Sequence, residues 1–385
     1  LTALEGETDL NFNWGSVVNL SFLQAINTIV AANRINRNDF IFIKKDYNQI
    51  YIFSLNNHTV QGEWKHKILN VRKEGFTGLA LEIFRYQYEN NALYRSYVNA
   101  LGVKVHTVTG PEQIPFLPIR FFKSHEIKTG SFVAEMVFES SGTTGLVNSR
   151  HFIKDLRWYD RVFTRAFELF YGATEEYCIL GLLPSYLERK NSSLVYMVDR
   201  LMSKSHSFQS SFYLYDFDRL AEVLFELETN RTKTLLIGVS FALLDFSERK
   251  KMALKNTVVM ETGGMKGKRD ELIREEMHTL LKEALGVPVI HSEYGMTELL
   301  SQAYSSGNGL FRCPPWMRVL VRDEEDPLSV NPTGAGAINI IDLANIHSCC
   351  FIATDDMGKI YPNGSFEVLG RLDGTDLRGC SLLTI

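Results

Sequence analysis

Three short stretches carry side chains that could handle phosphate and a cation. The first is Ser140-Ser141-Gly142-Thr143-Thr144-Gly145, within FESSGTTGLVNSRHF at 138–152. Backbone amides in a glycine turn can form an anion nest, and the hydroxyls add donors, which suits a polyphosphate. No Gly-Lys-Ser/Thr follows the glycines, so this is not a Walker loop. A plain polar turn between strand and helix would use the same letters. The second stretch is HSEYGMTELLSQ, starting at His291. Thr297 offers a hydroxyl to phosphate, Glu298 a carboxylate for Mg²⁺, and Tyr294 a flat face for a purine ring. The same residues would serve a helix start, with Thr297 capping and Glu298 favouring the dipole. The third is TDDMGKI followed by FEVLGRLDGTDLRGC. An aspartate after a strand can take two ribose hydroxyls, and the fork of Arg371 can reach ribose or phosphate. The competing reading is an acidic turn and a surface arginine.

The elements that must hold these residues alternate. FVAEMVFES reads as a strand entering the glycine loop, and DLRWYDRVFTRAFELFYGA as a helix ending near Gly172. YCILGLLP reads as a buried strand, DFDRLAEVLFELETN as an amphipathic helix, and TLLIGV as the next strand. NTVVMETGGMKG is a strand with a glycine turn, RDELIREEMHTLLKEALG a helix, and VPVIHSEYG a strand ending in a turn. From about Phe311 short strands take over: MRVLVRD, GAINIIDL, CCFIATDD and SFEVLGR. Strand–helix alternation followed by strands implies an α/β fold with an added β region. Such sheets present ligand loops at strand ends, where the glycine and turn motifs fall. Upstream, EGFTGLALEIFRYQYENNALYRSYVNAL repeats its apolar residues at helical spacing, and DFIFIKKDYNQIYIFSL alternates on two arms like a hairpin. Residues 1–62 are asparagine-rich and carry no recognisable chemistry, so they are expected to be an N-terminal extension to a large domain at 63–385.

Composition narrows the class. A formal charge of -4 and a pI near 6.2 leave no basic footprint for nucleic acid. The run at 17–32 is too short, and too broken by Asn19, Ser21, Gln24 and Asn27, to span a bilayer. Five cysteines without CxxC spacing read as reduced thiols of a cytoplasmic protein. Cys178 and Cys313 read as structural, His291 and His151 as satisfied polar neighbours, and no spacing suggests a His/Cys metal cage.

Taken in order, SSGTTG, YGMTE, TDD-x-G and GR-x-D-x-x-x-RG resemble the adenylate-forming superfamily from about Trp64 to the end of the chain. IPFLPIRFFKSHEI, GGMKGKR, SEYGMTELLSQAYS, INIIDLANIHSC and RGCSLL are similar to the acyl-protein synthetase (LuxE) family within it. The resemblance implies the large-domain fold of adenylate-forming enzymes, mostly parallel sheets flanked by helices plus a C-terminal β region, without the usual small C-terminal domain. It implies that Ser140 to Gly145 cradle the ATP phosphates and that Gly263 and Gly264 lie along adenine. Tyr294 would stack on adenine with Gly295 beside it, Thr297 would contact the α-phosphate or acyl-adenylate, and Glu298 would hold Mg²⁺. Asp356 would bind ribose, Arg371 would follow the hinge glycine, and Cys380 would accept the acyl group. A thiolate suits that role, and Arg378 could lower its pKa, although a bare thiol on a loose tail is the plainer reading. Val147-Asn148 replaces the family's Pro-Lys, so a phosphate cation must come from Arg150, Lys123, Lys266 or Lys268. The implied activity is adenylation of a fatty or related acid, then thioester transfer to a reductase or acyl carrier protein. The alternatives are an acyl- or aryl-CoA ligase, another acceptor, or an inactive binding subunit.

Overall fold

A computed structural model describes residues 64–140, 147–184, 190–214, 216–263 and 273–372, and 41–46 and 49–54 as backbone only. The chain divides into two compact units, 1–64 and 65–385. In the first, β1 (Ile41–Asp46) and β2 (Gln49–Ser54) pair antiparallel as the alternation predicts.

The second unit is built on one mixed sheet. β6 (Cys178–Leu182), β7 (Ser211–Phe212), β8 (Thr234–Val239), β9 (Thr257–Thr262) and β10 (His291–Tyr294) run parallel in the order β10-β9-β8-β6-β7. From β10 the sheet continues antiparallel through β11 (Ala303–Ser305), β12 (Phe311–Arg312), β17 (Phe366–Arg371), β16 (Phe351–Ile360), β15 (Gly334–Asp342), β13 (Met317–Arg322) and β14 (Val330–Asn331). β3 (Leu117–Pro118) pairs parallel with β16. The expected C-terminal β region is thus an unbroken extension of the parallel half. A separate hairpin, β4 (Met136–Glu139) with β5 (Arg150–Ile153), flanks the glycine loop.

The parallel strands read as apolar runs because helices cover both faces. Leu180, Leu182, Leu236 and Val259 face one way and pack with Leu220, Leu224, Leu243, Phe246 and Leu281. These last come from helices Phe217–Thr229, Ser240–Arg249 and Arg274–Leu285. On the other face a Cβ at Gly181 would meet Met202 of helix Ser193–Lys204 at 2.9 Å and Phe212 of β7 at 2.8 Å. Helix starts follow local chemistry. Asp155 caps helix Leu156–Tyr171 by accepting from the Trp158 amide at 3.2 Å, and Asp216 caps Phe217–Thr229 through the Arg219 amide at 2.9 Å. The long helical run upstream is two helices, Phe76–Asn90 and Ala92–Ala100, because Asn91 ends one and caps the next. Gln87, fully buried on the first, receives the Cys350 amide at 2.9 Å and donates to the Ile346 carbonyl at 3.2 Å. It thereby pins the turn between β15 and β16.

Among the described residues no helix is long and apolar enough to cross a membrane, and no group of three or more His, Cys, Asp or Glu could hold a metal ion. Cys178, Cys313, Cys349 and Cys350 are free thiols. Burial pushes the Cys313 and Cys349 thiols up to about 12, and Cys178 and Cys350 up as well, so none of the four is poised as a thiolate.

Candidate functional site

Tyr294 ends β10, Asp356 lies on β16, and Arg371 stands opposite Asp356 on β17. The turn from β10 and the β16–β17 ladder bring the three together. The Tyr294 hydroxyl donates to Asp356 Oδ2 at 2.8 Å, and Arg371 Nε donates to Asp356 Oδ1 at 3.2 Å. Burial and the neighbouring Asp356 hold the Tyr294 phenol well above its ordinary value, so it is a donor at any physiological pH. Its ring leans on Phe311 and Phe366, with centroids 5.8 and 5.6 Å away. Both carboxylate oxygens of Asp356 are therefore engaged. A diol arriving there would exchange with one donor at each oxygen.

Thr297 and Glu298 follow in the turn between β10 and β11. No helix begins there, which removes the helix-start reading; the Leu299 amide instead closes a turn on the Met296 carbonyl at 3.1 Å. Glu298 is buried, and burial raises its carboxyl pKa. A hydrogen bond from Ser149 and the charge of Arg371 pull it back down, while Asp356 pushes it up, so the Glu298 carboxyl shares one electrostatic neighbourhood with the Tyr294–Asp356–Arg371 group. Ser149 also closes the neck of the glycine loop. Its amide donates to Ser140 Oγ at 2.9 Å and its carbonyl accepts the Ser140 amide at 3.1 Å.

Gly263 follows β9, the parallel neighbour of β10. It has φ of 70°, a left-handed value glycine tolerates, and a Cβ there would meet nothing within 4 Å. Its carbonyl is fixed by Ser240 Oγ at 2.6 Å. A Cβ at Gly295 would instead crowd Glu293 Oε1, so the Glu293 carboxyl would have to shift to admit one. The described candidates Ser140, Gly263, Tyr294, Gly295, Thr297, Glu298, Asp356 and Arg371 thus sit at the ends of β4, β9, β10 and β17 and on β16. Ser141, Gly142, Thr143, Thr144, Gly145, Gly264 and Cys380 lie outside the described residues, as do the cation candidates Lys266 and Lys268. Of the other cations, Arg150 lies over the Phe152 ring at 5.6 Å and Lys123 is exposed on the helical turn Phe121–Ser124. His291 faces the Tyr171 hydroxyl at 3.2 Å, as a satisfied neighbour would.

Several residues that shape this site were not among the candidates read from the sequence. Glu293 is buried beside Thr262, whose hydroxyl donates to it at 2.5 Å, and burial with the nearby Glu261 pushes its carboxyl up to about 7. Arg274 lies 3.6 Å from Glu261 and donates to the Val368 carbonyl at 3.1 Å, tying β9 to β17. Asp342 accepts from the Leu300 amide at 2.8 Å, the Ser301 amide at 2.9 Å and the Ser301 hydroxyl at 2.6 Å, and so anchors the far side of the Thr297–Glu298 turn. For Glu293 and Asp342 the one signal was a charged letter inside an apolar strand, as in VIHSEY and INIID.

The chemistry present suits a nucleotide. An acidic acceptor for a diol, an open glycine edge and a loop of small hydroxyl residues are the parts such a ligand uses. One buried carboxylate fits Mg²⁺ that is shared with phosphate, because that ion commonly takes one or two protein carboxylates. A cation beside Glu298 would offset the burial that now favours its neutral acid.

A family model described as acyl-protein synthetase, LuxE, matches residues 70–384. No curated protein matches the chain. Among solved structures, ATP-bound MatB from Rhodopseudomonas palustris is 18% identical, with 63% of this chain and 49% of that one covered and a TM-score of 0.47. The amide bond synthetase McbA from Marinactinospora thermotolerans is 16% identical over 62% of this chain and 49% of its own, with a TM-score of 0.42. The luciferase-like enzyme from the nonluminescent mealworm Zophobas morio is 13% identical over 64% and 60%, with a TM-score of 0.43. The match thus spans about half the length of MatB and of McbA.

Proposed function

The chain belongs to the LuxE family of acyl-protein synthetases, and on that premise we propose that it activates a carboxylic acid with ATP and then carries the acyl group as a thioester on Cys380. The observation that carries the reading is the convergence of Tyr294 and Glu298, from β10 and its turn, with Asp356 on β16 and Arg371 on β17. The substrate carboxylate oxygen attacks the α-phosphorus of ATP, the bond to the β-phosphate bridging oxygen breaks, and pyrophosphate leaves. The Cys380 thiolate then attacks the acyl carbon of the mixed anhydride, and AMP leaves. Both steps depend on positioning and on neutralising charge that develops on phosphate oxygens.

A role is proposed for each site residue. Ser140 to Gly145 would present amides and hydroxyls to the β- and γ-phosphates. Asp356 would exchange the Tyr294 hydroxyl and Arg371 for ribose hydroxyls, which would free Tyr294 to meet adenine. Arg371, released from Asp356, would be near enough to the Glu298 neighbourhood to balance phosphate charge. Thr297 would donate to the α-phosphate. Mg²⁺ held by Glu298 would supply charge neutralisation for the phosphates. A fatty or related acid is the proposed substrate class, and a reductase or acyl carrier protein the proposed recipient. The large domain is proposed to be 63–385, with 1–62 as an extension.

The test is acid-dependent exchange of labelled pyrophosphate into ATP, run with a panel of fatty and aryl acids. Exchange that requires both an acid and Mg²⁺ is expected. ATP binding without exchange for any acid would contradict the activation step and leave a nucleotide-binding subunit.

A further inference from the structure

Contacts through His151 and Asn345 join the strand that leaves the glycine loop to the Thr297–Glu298 turn. His151 lies on β5, opposite Phe138. Its Nδ1 is 2.8 Å from the Thr297 carbonyl oxygen, and its Nε2 is 3.0 Å from Asn345 Oδ1. Asn345 Nδ2 in turn donates to the Glu298 carbonyl at 2.7 Å. That last bond fixes which end of the amide faces the ring. Turning the amide over would set its oxygen against the Glu298 carbonyl oxygen. Both ring nitrogens therefore face oxygen acceptors.

A neutral imidazole carries one N–H, and only the imidazolium carries two. His151 is 1% exposed, and burial pushes its pKa down to about 4. Near neutrality one proton must serve two acceptors. The two contacts are not equivalent. The Thr297 carbonyl belongs to main chain held close by on its C-terminal side, by Asn345 at Glu298 and by Asp342 at Leu300 and Ser301. With the proton on Nε2, the Nδ1 lone pair would face that carbonyl at the shorter distance with little room to move. With the proton on Nδ1, the opposed lone pairs are those of Nε2 and Asn345 Oδ1, at the longer distance of 3.0 Å.

We propose that His151 is a positioning residue whose single proton resides on Nδ1, clamping the Thr297 carbonyl to β5 and so fixing the Thr297 hydroxyl and Glu298 carboxyl relative to the β4–β5 hairpin. Ser149, two residues earlier, supports the same linkage, because it joins Ser140 at the loop neck and the Glu298 carboxyl. What the clamp does for catalysis rests on the acid-activation reading; the clamp itself does not.

The experiment therefore has two arms on the full chain. Histidine ring ¹⁵N NMR at neutral pH, with the His151 signals assigned by their loss in His151→Asn, reports the tautomer without any substrate. The Nδ1–H form is expected; an Nε2–H form or an imidazolium overturns the proposal. The second arm compares His151→Asn, whose amide nitrogen reaches the place of Nδ1, with His151→Gln, whose amide reaches that of Nε2. In pyrophosphate exchange the asparagine variant is expected to keep its Mg-ATP KM within about threefold of wild type. The glutamine variant is expected to lose roughly tenfold in kcat/KM, the scale of one buried hydrogen bond, while melting at a similar temperature. Equal losses in both variants would reduce His151 to packing and overturn its positioning role. A wild type without exchange would fail the activation reading alone, and the tautomer would still decide for or against the clamp.

Discussion

Glu293 provides a prediction whose size follows from the structure. It faces Thr262 across parallel strands β10 and β9, is 8% exposed, and accepts one hydroxyl at 2.5 Å. Burial, with Glu261 adding repulsion, lifts its carboxyl from an ordinary 4.5 to about 7. The folded protein then holds a proton that the unfolded chain releases. Well below pH 4.5 both states are protonated, and the contribution to stability is complete. Between 4.5 and about 7 only the unfolded chain ionises, so stability falls as pH rises; above about 7 the two lose protons together and the curve levels. At about 1.4 kcal/mol per pH unit, this single group removes about 3 kcal/mol between about pH 4 and about pH 8. Glu293→Gln keeps an acceptor for Thr262 and cannot titrate. The stability of the variant minus that of the wild type should therefore rise by about 3 kcal/mol over that range, because contributions from distant groups cancel. Urea unfolding of both proteins at four pH values measures this directly. A difference constant to within about 0.5 kcal/mol would refute the reasoning, since it would place the retained proton elsewhere.

Other expectations concern the site and its supports. Glu298→Gln should lower acid-dependent pyrophosphate exchange by about a hundredfold or more through weaker Mg²⁺ holding, and exchange at the wild-type rate would contradict that role. Asp356→Ala should raise the Mg-ATP KM by roughly tenfold or more, read from initial rates, because the ribose acceptor is removed. Asp342→Ala leaves the Leu300 and Ser301 amides and the Ser301 hydroxyl without their acceptor, and should cost about 3 kcal/mol or more in urea unfolding. Cys380→Ser should keep pyrophosphate exchange yet lose the hydroxylamine-sensitive acyl adduct.

The parallel half was legible because its strands are buried on both faces and each is bounded by a turn signal. Leu180, Leu236 and Val259 lie inside the core that YCILGLLP, TLLIGV and NTVVMETGG announce. Helix Ser193–Lys204 was not legible. Val195, Tyr196, Met197 and Val198 are buried in succession, and such a short apolar run suits a buried strand as well as a helix. Helix Phe76–Asn90 merged with its successor because Asn91 does its work through a local cap rather than through a break in the apolar pattern. Within the site, Tyr294, Thr297, Glu298, Asp356 and Arg371 stood out as ordered motifs. Their supports did not, because those roles depend on distant partners: Asn345 meets Glu298 across 47 residues and His151 across 194. Nothing in INIIDLANIHSC states that its aspartate and its second asparagine hold the two ends of one turn. Glu293, adjacent to the motif, was hidden for another reason: its proton is a property of burial, which letters alone do not carry.

The central claim is that acid activation ends in an acyl-enzyme, and intact-protein mass tests it most directly. The full chain is incubated with Mg-ATP and a mixture of fatty acids, then weighed. The account predicts an ATP-dependent gain of one acyl group, removed by neutral hydroxylamine and mapped to Cys380. An unchanged mass, with AMP released in proportion to the acids supplied, would contradict it and assign the acyl group to an acceptor other than this chain.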